Sequence, residues 1–142
     1  MFLRSICCLF LLSLISLQLH AQDILGKTIK DATLILGTEY TRWQDGPVTK
    51  LRYASRKIDH PTFGEFRETD EYDFLNDVCE ARHAFIPIGL EQAFMDDLNK
   101  KLGRGDHLWQ DGNGIHISIR EHGDDFELMV WTPVYETMLD NK

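Results

Sequence analysis

Glu65 to Leu75 reads EFRETDEYDFL, Asn76-Asp77 follows, and Val78 to Ile86 reads VCEARHAFI. Two extended runs flank a two-residue Asn-Asp turn, a pair suited to the left-handed backbone of a tight hairpin. Leu75 then opposes Val78. Counting outward, Phe74 faces Cys79, Tyr72 faces Ala81 and Asp70 faces His83, all on one side of the ribbon. On the other side Glu71 faces Arg82, a favourable charge pair, while Asp73 faces Glu80, an unfavourable one.

This register predicts one constellation with chemistry in it. A carboxylate at Asp70 opposite the His83 imidazole would raise its pKa and orient its tautomer. A hydrolytic dyad also needs a nucleophile. Cys79 shares the face, but four positions along a strand is roughly 13 Å, too far for direct proton transfer. A cross-strand polar pair is the plainer reading.

Downstream, Pro87 ends the strand. Leu90, Phe94, Leu98 and Leu102 recur every fourth residue, so 89–102 is predicted as an amphipathic helix stopped by Gly103. Ile115, Ile117 and Ile119 alternate with polar residues and Phe126, Leu128 and Val130 do the same, which predicts a second hairpin. Its outer side carries His116, Met129 and Trp131. The tail after Pro133 is expected to be irregular.

Upstream, 23–37 reads as a helix with Thr28 and Asp31 as a capping pair and Gly37 as its stop. Residues 40–54 look extended around an Asp45-Gly46-Pro47 break, and 55–64 reads as a loop. The expected fold is α+β: an antiparallel sheet of about five strands in two hairpins, with two amphipathic helices packed on one face.

Met1 to Ala21 has the pattern of a secretory leader. Arg4 is its only charge, the apolar run from Ile6 to Leu17 is about 12 residues long, and Leu19-His20-Ala21 offers a cleavage site. A spanning helix needs roughly 20 apolar residues. Cys7 and Cys8 lie near the start of the run rather than after it, where a lipidated cysteine would sit. The expected organisation is a signal peptide over 1–21 and a single domain over 22–142, exported to the periplasm or beyond.

The chain carries a formal net charge of −8. That argues against nucleic acid and anionic membrane surfaces, which demand a basic face. Cys79 alone remains after the leader, so no internal disulfide can form. It is expected to be a buried apolar side chain.

Other motifs fail on spacing. Gly26-Lys27-Thr28 would end a phosphate loop, but the glycine required five residues earlier is Ala21. Asp111-Gly112-Asn113-Gly114 opens like a calcium loop, yet the fifth and twelfth positions hold Ile115 and His122. His60, His83, His107, His116 and His122 fall in no paired ligand motif. No cofactor, metal or catalytic residue is expected. Aromatic residues are many, and His116, Met129 and Trp131 form the candidate interaction patch for an envelope protein.

Residues 26–54 resemble the outer-membrane assembly lipoproteins and the β-lactamase-inhibitor-like domains. The matching residues are Gly26, Thr28, Leu36-Gly37, Trp43 and Tyr53. The proline those domains carry after Leu-Gly is Thr38 here, their lipidated cysteine is missing, and one helix stands where they have two. The whole chain is also similar to small exported Bacteroidetes proteins with no assigned activity to carry over. The resemblance implies a non-catalytic binding role. The expectation is therefore an exported binding or interaction module of the cell envelope. The alternatives are a small hydrolase using His83, Asp70 and Cys79, or a structural envelope protein without a discrete ligand.

Overall fold

The computed structural model describes residues 24–142, so the leader read over 1–21 lies outside the described residues. The chain runs α1 (Ile29–Leu36), β1 (Tyr40–Asp45), β2 (Val48–Tyr53), β3 (Arg56–His60), β4 (Gly64–Leu75), β5 (Val78–Pro87), α2 (Glu91–Leu102), β6 (Leu108–Gln110), β7 (His116–His122), β8 (Asp125–Trp131) and α3 (Pro133–Asp140). All pairings are antiparallel. The order across the sheet is β1-β2-β4-β5-β8-β7-β6, with β3 also on β4. Among the described residues no helix is long and apolar enough to cross a membrane.

The expected five strands and two helices on one face are thus corrected to a single eight-stranded sheet with three short helices among the described residues. β4 is the reason for much of the difference. Its 12 residues are long enough to hold two partners, β3 along 64–68 and β2 along 71–75. The segment read as a loop contains β3, in which Arg56, Ile58 and His60 are half-buried while Lys57 and Asp59 are exposed. That is strand alternation over a run too short to stand out. The break at Asp45-Gly46-Pro47 is a turn that separates β1 from β2, since Asp45 pairs directly with Val48.

The tail expected to be irregular is α3. Thr132 caps it, its hydroxyl accepting from the Tyr135 amide, and Pro133 begins it. A cap followed by proline is a favoured helix start, because proline's missing N–H has no partner there in any case. α1 is shorter than the 23–37 read from the sequence: it begins at Ile29, capped by the Thr28 side chain as expected, and stops at Gly37.

The hairpin between β4 and β5 has its turn at Asn76-Asp77, both in the left-handed region at φ 51 and 66. Leu75 opposes Val78 and Phe74 opposes Cys79. Beyond that the register shifts: Asp73 opposes Ala81, Tyr72 opposes Arg82, Glu71 opposes His83 and Asp70 opposes Ala84. Glu80 is the extra residue of a β-bulge. The bulge removes the like-charge contact of Asp73 with Glu80, and it leaves the expected Asp70–His83 pair unformed.

Alternation along the strands then assigns the two sides. α1 and α2 cover one face. Phe94 packs there with Phe66, Ala84, Ile86, Ile119, Phe126 and Leu128. Ala32 packs with Leu51, Tyr72, Phe74 and Cys79. α3 covers one end of the other face, where Tyr135 meets Val48, Ala81 and Trp131. Each large apolar side chain so buried contributes roughly 1.5–3 kcal/mol.

Candidate functional site

Adjacent residues of β5 point to opposite faces, so Arg82 and His83 stand back to back through the sheet. Each is the centre of a buried array of charges.

On the α3 face, His83 lies between two carboxylates. Its Nε2 donates to Asp73 Oδ2 at 3.0 Å and its Nδ1 to Glu127 Oε1 at 2.6 Å. Burial works against the charged imidazolium, but the hydrogen bonds and charges of Asp73 and Glu127 outweigh it and lift its pKa to about 9. Lys50 Nζ lies 2.9 Å from Asp73 Oδ1 and 3.1 Å from Glu71 Oε1. Tyr135 donates to Asp73 Oδ2 at 2.5 Å, tying α3 to the sheet. Arg120 donates to Glu127 Oε2 at 2.5 Å. Burial alone would raise the Asp73 pKa, yet the donors from His83, Tyr135 and Lys50 hold it below the usual carboxylate range.

Glu71, Asp73 and His83 place one ligand atom each within 4.8 Å of one another. The residue types suit a metal ion, but their occupancy does not. The Lys50 ammonium bridges the two carboxylates, and both His83 nitrogens are engaged. A metal would have to displace one cation and strip a proton from the other. The chain's own cations already fill this site.

On the α1/α2 face, Arg82 donates to Asp70 Oδ1 from Nε at 2.9 Å and from Nη2 at 2.7 Å. It also lies 3.1 Å from Glu68 Oε1. Arg56 closes the ring, 3.0 Å from Asp70 Oδ2 and 3.4 Å from Glu68 Oε2. Two guanidinium groups balance two carboxylates. Burial pushes the Glu68 pKa up against the pull of the two arginines.

Beside this ring is a cavity of about 470 Å³. Arg56, Glu68, Arg82 and His60 form its polar wall, and Ile58, Phe66, Phe94 and Leu128 its apolar floor. β3 and the turn after it supply one whole side, from Arg56 to Pro61. His60 also organises that turn: its Nδ1 accepts from the Thr62 amide at 3.0 Å and the Phe63 amide at 3.3 Å. The His60 ring stacks on Phe63 at 4.7 Å, and Phe63 stacks on Phe94 of α2 at 4.0 Å. Among the described residues Arg56 Nε, His60 Nε2 and the Tyr72 hydroxyl are buried without a hydrogen-bond partner, all on this side of the sheet. On the α3 face every buried side-chain N or O atom has one among the described residues.

The structure does not bring Asp70, Cys79 and His83 together. Asp70 and His83 are on opposite faces. Cys79 has no exposure, and burial raises its thiol pKa, which keeps it protonated. His116, Met129 and Trp131 are neighbours on the α3 face, through the pairings His116–Trp131 and Ser118–Met129. The His116 ring stacks on Trp131 at 5.3 Å. Trp131 is only 7% exposed, buried with Tyr135, so this patch presents mainly His116 and Met129. The Asp111 carboxylate accepts from the Asn113 and Ile115 amides at 2.8 and 3.0 Å, which makes its loop a turn. Arg56 and His60 were missed because their segment reads as a loop; the alternation from 56 to 60 is the signal that finds them.

No protein family, curated protein or solved structure matches this chain.

Proposed function

We propose that this chain is an exported, non-catalytic binding module of the cell envelope, and that its ligand is a small, largely apolar molecule held in the cavity beside Arg82. Export rests on the leader pattern over residues 1–21. The binding reading rests on one observation: the cavity joins an apolar floor of Phe66, Phe94 and Leu128 to a closed ring of two arginines and two carboxylates. Apolar pockets with a few fixed polar groups are the usual form of a small-molecule site. The ring is already neutral, so an anion entering it would lose its water with no free positive charge to compensate. A neutral ligand carries no such cost.

N-phenyl-1-naphthylamine, a neutral fluorophore, tests this directly. Its emission should rise on binding at one site. Ile58→Trp, which fills the cavity from β3, should weaken that binding at least about tenfold, equivalent to 1.4 kcal/mol. Leu108→Trp, at an exposed position, should leave it unchanged. Absence of binding, or binding indifferent to Ile58→Trp, overturns the reading.

A further inference from the structure

We infer that His60 is a pH-sensitive latch on this cavity, closed while its Nδ1 accepts the Thr62 and Phe63 amides and released when that nitrogen takes a proton. The inference rests on the cavity being the binding site, and names how access to it is controlled.

The geometry sets the protonation state. An Nδ1 that accepts two backbone N–H groups carries no hydrogen, so the one imidazole proton is on Nε2. A second proton would put an N–H against two N–H donors at 3.0 and 3.3 Å. No hydrogen bond compensates the cation, because Nε2 is buried without an acceptor among the described residues. The turn would have to give way, and Phe63 is the middle of the stack from His60 to Phe94. Loss of that stack frees β3 and its turn, the side of the cavity from Arg56 to Pro61.

The charged groups around His60 are few. α2 presents Asp97 and Lys101, themselves paired at 2.8 Å. β3 brings Arg56 on the same side as His60, with Asp59 and Lys57 on the outer side, and Glu65 of β4 pairs with Lys57 at 2.7 Å. Burial, then Lys101, lowers the His60 pKa, and Asp97 opposes them. The sign follows: the closed form binds its proton less readily than a free imidazole at about 6.5. Closure is complete above that value and weakens as pH falls below it.

His60→Asn is the informative variant. The Asn Oδ1 stands where His Nδ1 does and can accept the same amides, but it does not titrate. In the full chain, amide protection factors at Thr62 and Phe63 should fall about tenfold from pH 7.5 to 5.0, and fluorophore affinity should fall with them. Both should be flat in His60→Asn. Protection that does not respond to pH, a response shared by His60→Asn, or an opening turn with unchanged fluorophore affinity each overturns the latch. A fluorophore that binds at no pH overturns the binding reading instead, and the amide profile still decides whether His60 controls the turn.

Discussion

Arg82 and His83 are successive residues of one strand, and the arrays they centre are finished differently. On the α3 face, His83, Lys50, Arg120 and Tyr135 satisfy Asp73 and Glu127. The C-terminal helix closes over one end. On the α1/α2 face the ring of Arg82, Asp70, Arg56 and Glu68 borders an open cavity, and three buried polar atoms are unpartnered among the described residues. Buried polar groups left unpaired cost about 1–3 kcal/mol each. A fold tolerates that cost more readily at a working site than in a purely structural one. The contrast separates an array that fastens the fold from one that borders a space.

The comparison breaks most visibly at Arg82. Arg82→Met leaves the buried Asp70 and Glu68 with only the more exposed Arg56 between them, and should cost about 3–5 kcal/mol in urea unfolding. Lys50→Met should cost less, because His83 and Tyr135 still hold Asp73. Equal losses would erase the distinction between the faces.

A smaller effect is the alkaline limb. His83 binds its proton more tightly folded than unfolded, its pKa rising from 6.5 to about 9. Its stabilisation is therefore full below pH 6.5 and is lost as pH rises through 9, up to about 3 kcal/mol. Arg82 does not titrate in this range. Urea midpoints between pH 6.5 and 9 should fall in the natural chain and stay level in His83→Gln.

The finest test is one substitution made on each face. Tyr135→Phe removes a hydrogen bond to the Asp73 carboxylate and should cost about 1.5–3 kcal/mol. Tyr72→Phe removes a buried hydroxyl with no partner, and should be neutral or stabilising by up to about 1 kcal/mol. Chemical denaturation of both variants reads the two signs; a shared sign would mean that the faces are satisfied alike.

The parts legible in the sequence are those set by local chemistry. The Asn76-Asp77 turn, the stripe of Leu90, Phe94, Leu98 and Leu102, and the alternation of β7 with β8 are repeated or conformationally demanding signals. The start of α3 was also written in Thr132-Pro133, but a lone cap before a short helix is easily passed over. β3 spans five residues between Ser55 and Pro61, so its pattern is brief. The register at Asp70 and His83 was not legible, because the bulge depends on where β8 and α3 meet β5. The Glu80 carbonyl accepts the Thr132 amide at 2.9 Å, a contact across 52 residues.

That bulge has a consequence for insertions and deletions rather than substitutions. A strand read in steps of two loses its frame when one residue is gained, and every later side chain changes sides. Here the additional residue is looped out at Glu80, and the frame is restored at Ala81. Deleting Glu80 would leave Phe74 opposite Cys79 and Asp73 opposite Ala81. β5 thus contains a position where the chain's length can change by one while Arg82 and His83 keep their sides.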